Sequence, residues 1–118
     1  MTTYRIAYAK IQTTTTLDGV ETLHEPSWYT VLFADDKRLN GYNSTVERDQ
    51  SRALRSLAHL LVSLAAVDAI EVTADDGTID RVRLVDLPAE IQPLIQERLA
   101  DLHPTVRAKI AEREKASP

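Results

Sequence analysis

Apolar and polar side chains alternate along the first third of the chain, and this period of two predicts β-strands. From Tyr4 to Gln12 the alternation places Tyr4, Ile6 and Tyr8 on one face. The segment Ser27–Ala34 carries β-branched and aromatic residues on both faces, which is typical of a central strand.

Polar segments separate these predicted strands. The threonine run Thr13–Thr16 leads into Asp18-Gly19, and we expect a loop or the end of a hairpin there, because Asp-Gly favours turns. The segment Val20–His24 is a candidate short strand, which Pro26 ends or confines to a sheet edge. Residues 35–41 are predicted to form a polar loop.

A period of about 3.6 residues then predicts one long helix that ends near Val67. Ser44 or Thr45 is expected to cap its first turn, since Glu47 lies three residues after Ser44, the spacing of a capping box. The apolar residues gather on one side of this helix: Val46, Ala53, Leu54, Leu57, Leu60, Leu61 and Leu64.

The final third of the chain contains a hairpin and two helical segments. The strands Ala69–Ala74 and Thr78–Val85 flank the turn dipeptide Asp76-Gly77. A helical stripe runs from residue 87 to 102 with Pro93 inside it, so either residues 88–91 form a separate turn or the helix is kinked. Residues 104–115 can form a last helix that opens on a proline.

The element order β-β-β-α-β-β-α-α predicts an α+β fold of two layers. We expect a mainly antiparallel sheet of about five strands packed on the long helix and the C-terminal helices. Residues 1–103 are predicted to form a single domain, and residues 104–118 a C-terminal helix or tail.

Composition narrows the class of protein. The 118 residues are 43% hydrophobic and 27% charged, as in one soluble globular domain with its own core. The absence of cysteine excludes disulfides and cysteine-ligated metals and fits a reducing compartment. No apolar stretch approaches the length of a membrane span. We therefore expect a cytoplasmic protein without a membrane partner.

The net charge of the chain is −4, and the surplus of acidic over basic side chains lies between Asp68 and Glu90. This distribution of charge excludes a basic tail.

One candidate binding feature is a basic stripe on the long helix. Arg48, Arg52, Arg55 and His59 are spaced by 4, 3 and 4 residues, which places them in a narrow strip opposite the leucines. A row of guanidinium groups can bind phosphates or an acidic protein surface. The charged face of any amphipathic helix has the same composition, so the sequence leaves both interpretations open.

A second candidate is an interface of aromatic and apolar residues. Tyr4, Tyr8 and Trp28 lie on strands expected to be neighbours, where they form either a core edge or an exposed contact face. Val106 and Ile110 lie four residues apart on the last helix, where a second copy of the chain can cover them. We expect self-association, with a homodimer as the simplest symmetric form.

Several acidic side chains lie at the ends of predicted elements, where sites for divalent metal ions are often formed. They are Asp35, Asp36, Glu47, Asp75, Asp76 and Asp80. The element order over residues 4–76 resembles the start of a ribonuclease-H-like fold, and the resemblance implies that Glu47 and Asp75 stand where such nucleases keep two carboxylates. The first strand lacks the acid that the fold requires, and a hairpin follows where that fold enters a helix. Because two-metal chemistry needs a complete set of ligands, we assign no catalytic residue, metal or cofactor.

The expected function is that of a small non-enzymatic protein-binding module, such as the inhibitors and accessory factors that phages and mobile elements encode. This expectation depends on small size, acidity and the lack of a nucleophile or phosphate-binding motif. One alternative is a nucleic-acid-binding regulator that uses the stripe on helix 45–67. Another is a small metal-dependent hydrolase with the incomplete ribonuclease-H-like arrangement.

Overall fold

The computed structural model describes residues 2–73 and 77–115 and confirms the predicted α+β class, with antiparallel strands and one long helix packed against them. The elements within these residues are β1 (Tyr4–Ile11), β2 (Thr14–Leu17), β3 (Val20–Leu23), β4 (Ser27–Ala34), β5 (Lys37–Asn43), α1 (Gln50–Val67), β6 (Ile70–Thr73), β7 (Ile79–Val82), a 3-10 helix (Leu84–Asp86), α2 (Gln92–Ala100) and α3 (Pro104–Lys115).

The strands divide into three antiparallel sheets instead of the single sheet expected. The main sheet has the order β1-β4-β5, while β2 pairs with β3 and β6 pairs with β7. In the main sheet Tyr4 lies opposite Ala34 and Ile11 lies opposite Ser27. The β2–β3 hairpin lies between β1 and β4 in the chain and forms a sheet of its own.

One predicted loop, the polar segment 35–41, is mostly a strand, whereas the threonine run leads into a hairpin turn at Asp18-Gly19, one of the two alternatives expected there. Most of the threonine run belongs to β2, and most of the polar segment 35–41 belongs to β5. Polar side chains do not prevent strand pairing, because the main chain supplies the inter-strand hydrogen bonds.

The turn at Asp35-Asp36, which joins β4 to β5, is tight, with Asp35 in the left-handed region at φ 53°. The Thr3 amide donates to the Asp35 carboxylate at 2.9 Å, which ties this turn to the start of β1.

The long helix starts later than predicted. Asp49 caps it by accepting a hydrogen bond from the Arg52 amide at 2.8 Å. Ser44 is buried instead, where its hydroxyl oxygen accepts the Thr30 amide of β4 at 2.7 Å. The Glu47 main chain forms an isolated bridge with Trp28. Residues 44–47 are therefore bound to the sheet, and the predicted capping box is not formed.

The C-terminal helices follow the sequence pattern closely. Of the two alternatives, residues 88–91 form a separate turn, and α2 begins with Pro93 in its first turn. The last helix begins at Pro104 as predicted. The Arg113 guanidinium on α3 donates hydrogen bonds to the carbonyls of Ala65 and Val67 and so satisfies the C-terminal end of α1.

One hydrophobic core lies between α1, the main sheet and the C-terminal helices. Its fully buried apolar side chains include Leu32, Leu57, Leu61, Val62, Ile91 and Ile95. The molecule as a whole is elongated. Its radius of gyration is 17.0 Å, whereas a compact domain of this length has a radius of gyration of about 13.5 Å. All eight strand residues of the β2–β3 hairpin are exposed, so this hairpin lies outside the core.

Candidate protein-binding surfaces

The β2–β3 hairpin, residues 14–23, forms a projecting element that we call the hairpin arm. Its exposed fractions are 72% for Leu17, 64% for Val20 and 65% for Leu23. A two-stranded hairpin is marginally stable in water on its own, and large apolar side chains on it gain stability only when they are covered.

The register of the arm concentrates its apolar surface at the tip. Leu17 lies directly opposite Val20, so the two side chains share one face beside the turn. Leu23 lies opposite Thr14 on the other face. The turn itself is made by Asp18 and Gly19, both at positive φ (51° and 78°), as a two-residue hairpin turn requires.

Hydrogen bonds at the base of the arm join its two strands. The His24 amide donates to the Thr13 carbonyl at 3.0 Å, and the Gln12 side-chain amide donates to the His24 carbonyl at 3.1 Å. The His24 ring also hydrogen-bonds the Thr15 hydroxyl. These contacts join the two strands of the arm at its base.

The arm is acidic as well as apolar. Residues 14–23 contain the carboxylates Asp18 and Glu21 and no lysine or arginine. A surface complementary to the arm therefore combines an apolar floor with basic side chains at its rim.

A groove of about 570 Å³ lies between the 3-10 helix, α2 and α3. Its apolar lining residues are Leu84, Val85, Leu99, Ala100, Ile110 and Ala111, of which Leu84 and Ile110 are buried in the core, and Gln92 and Gln96 also line it. Val85 is 61% exposed at its edge. The basic side chains that border it are Arg83, Arg107 and Lys115.

Some of the charged side chains around the groove are paired within the chain and others are not. Arg83 forms a two-bond ion pair with Asp86, with the Nε–Oδ2 distance at 3.0 Å and the Nη2–Oδ1 distance at 3.2 Å. The Glu114 carboxylate accepts the Leu84 amide at 2.7 Å, and burial raises the pKa of Glu114. Arg107 and Lys115 take part in no ion pair within the described part of the chain. The charge that the groove offers to a ligand is therefore positive.

A second cavity, of about 720 Å³, lies between the β4–β5 turn and the β6–β7 hairpin and is more polar. Asp35, Glu71 and Asp80 contribute carboxylates to its lining. Burial, followed by the charge of Asp80, raises the pKa of the Tyr4 phenol beside it. Among residues 2–73 and 77–115, no group of three histidine or acidic side chains is arranged to hold a metal ion.

The predicted basic stripe is not continuous. Arg48 precedes α1, because the helix begins only at Gln50. Arg52 forms an ion pair with Asp49 at 3.6 Å, and Arg55 donates to Glu97 of α2 at 3.0 Å. His59 is on the exposed side of α1. The four side chains are thus not a row of unpaired cations.

The predicted aromatic interface lies mostly in the protein's own core. Tyr4 is buried in the core cluster, and Tyr8 is half-buried against it. Trp28 is half-buried beside the bridge to residue 47. On α3, Ile110 is buried and Val106 packs against the same core. Of the two interpretations of the β1 aromatic face, core edge and contact surface, the packing favours the core edge.

The ribonuclease-H-like arrangement is not formed by the described residues. The strand after the long helix, β6, pairs with β7 in a two-stranded sheet that is separate from the main sheet. Glu47 is held against Trp28 by main-chain hydrogen bonds of 2.7 Å. Asp75 and Asp76 lie outside the described residues. The turn predicted at Asp76-Gly77 therefore lies partly outside them as well.

Comparisons with protein-family models, curated proteins and solved structures return no match for the chain. No helix among the described residues is both long enough and apolar enough to span a membrane.

Proposed function

We propose that the protein is a non-enzymatic protein-binding module, of the kind that acts as an inhibitor or accessory factor, and that the hairpin arm is its binding element. The observation that carries this proposal is the paired exposure of Leu17 and Val20 at the tip of an ordered arm. The cytoplasmic location expected from the sequence is part of the proposal.

Three properties of the arm support protein binding. Its apolar tip gains free energy only by burial against another apolar surface. Its backbone is already ordered by main-chain pairing, so little conformational entropy is lost on binding. Its carboxylates disfavour a nucleic acid, because phosphates repel them.

Site-specific photo-crosslinking tests the proposal. A photoreactive phenylalanine analogue in place of Leu17 is irradiated in a lysate, and adducts are identified by mass spectrometry. We expect a discrete polypeptide adduct, whose yield falls when the same bait carries Val20→Ser. The matched control carries the analogue in place of Val67, which is 80% exposed at the end of α1.

Two results would contradict the proposal. One is that position 17 gives no specific polypeptide adduct. The other is that positions 17 and 67 give the same adducts in equal yield, since this would show adventitious contact with exposed apolar groups.

A further inference from the structure

The hairpin arm and the groove between the 3-10 helix, α2 and α3 are two surfaces with matching apolar and charged character. We infer that the groove receives the hairpin arm of a second copy of this chain, so that the protein forms a homodimer by exchanging arms. The inference rests on the proposed function, because it names the partner that the arm binds.

The apolar surfaces correspond in kind and in size. Leu17 and Val20 project from one face of the arm, and the accessible aliphatic side chains of the groove include Val85, Leu99 and Ala111. A cavity on the order of 150 Å³ already accommodates a benzene-sized group. The groove volume of about 570 Å³ therefore provides room for two aliphatic side chains and part of the turn.

The charges are complementary as well. The arm has Asp18 and Glu21 near its tip and no basic side chain. Arg107 and Lys115 border the groove, and neither is in an ion pair of the described residues. The partly buried carboxylate of Glu114 hydrogen-bonds the Leu84 amide, so it is engaged within its own chain. Opposite charges at the rim favour this pairing and set its orientation.

Both surfaces occur on every chain, and the exposure of the arm shows that it does not occupy its own groove. Reciprocal exchange between two chains fills both grooves with one two-fold symmetric arrangement. Each dimer then contains two identical arm–groove contacts, which strengthen each other because the second forms within the complex.

Sedimentation velocity across a concentration series tests the inference. We expect the wild-type protein to reach twice the 13.2 kDa chain mass. Leu17→Lys places a cation against the basic rim, and Arg107→Glu places a carboxylate against the acidic arm. Each change alone is expected to weaken dimerisation by about tenfold or more. Val67→Lys, at an exposed apolar position outside both surfaces, is expected to leave the dimer unchanged.

Mixing the two interface variants separates a lost contact from a damaged fold. The Arg107→Glu chain retains a wild-type arm and the Leu17→Lys chain retains a wild-type groove. One contact of the mixed dimer is therefore native, and the other joins opposite charges. We expect the mixture to dimerise at concentrations where each variant alone is monomeric.

A wild-type protein that stays monomeric at high concentration would overturn the inference, as would a dimer that neither variant weakens. Photo-crosslinking from position 17 to a polypeptide other than this chain, together with a monomeric mass, would overturn it and leave the proposed function standing.

Discussion

The Arg55 guanidinium on α1 donates a hydrogen bond to the Glu97 carboxylate on α2, with Nη1 and Oε1 3.0 Å apart. Both side chains are more than half exposed, so solvent screens the pair. The contact joins two helices that are far apart in sequence. It also gives one arginine of the predicted stripe a partner within the chain.

Charge reversal at this pair is expected to have a small effect that a second reversal restores. Arg55→Glu should lower the free energy of unfolding by about 0.2–1 kcal/mol, the usual contribution of an exposed ion pair. The double variant Arg55→Glu/Glu97→Arg should recover most of that loss in urea unfolding. If the single and double variants are equally destabilised, the pair does not contribute to stability.

The N-terminal cap of α1 is expected to make stability depend on pH in the acid range. The Arg52 amide and the Ser51 hydroxyl donate to Asp49, and these hydrogen bonds lower the pKa of its carboxyl in the folded protein. The stabilisation is therefore complete above the pKa of Asp49 in the unfolded chain, and it is lost as pH falls through the lowered pKa of the folded state.

Thermal unfolding of two cap variants tests this account. Asp49→Ala should lower the midpoint at neutral pH, because the Arg52 amide loses its acceptor. Asp49→Asn keeps an acceptor oxygen without an ionisable group, so it should retain most of the neutral stability and lose the acid-dependent part. Identical acid profiles for wild type and Asp49→Asn would contradict the assignment.

Glu114 is expected to contribute a pH dependence of the opposite sign. Burial raises the pKa of Glu114 in the folded protein. Its stabilising contribution is complete below the ordinary glutamate pKa and is lost as pH rises through the raised pKa. Glu114→Gln keeps an oxygen for the Leu84 amide but does not ionise. It should therefore remove this decline, whereas Glu112→Gln at an exposed neighbouring position should not. Urea unfolding from about pH 4, near the ordinary glutamate pKa, up to about pH 8 measures the difference.

The last helix is expected to belong to the cooperative core. Ile110 is 4% exposed within the core cluster, so Ile110→Ala should reduce the free energy of unfolding by about 2–5 kcal/mol. Val106→Ala, at a half-buried position on the same helix, should cost clearly less. Equal and small effects at both positions would show that α3 unfolds independently of the core.

Sequence periodicity predicted the elements whose formation depends on nearby residues. The limits of β4 and the start of α3 at Pro104 agree with the prediction, and the place of Pro93 in the first turn of α2 matches one of the two alternatives left open. Each has a strong local signal, either a run of β-branched and aromatic residues or a proline at a helix start.

The errors occur where pairing with a neighbouring strand, and not the local side-chain pattern, decides the structure. Ser44 has a good capping side chain, but its hydroxyl accepts the Thr30 amide, and α1 starts only after Asp49. β5 is polar and is stabilised by pairing with β4. The contact residues of the arm were missed, although Asp18-Gly19 flanked by threonine and valine indicates a hairpin. That signal does not tell whether a hairpin is covered or projects into solvent.

Hydrogen–deuterium exchange of the arm, measured for the free chain and for its complex, tests the central claim most directly. If the arm is the binding element, amides of residues 14–23 exchange more slowly in the complex, and the Leu17→Ser/Val20→Ser variant forms no complex and shows no such change. Unchanged exchange across residues 14–23 in a complex that protects another segment would contradict the claim.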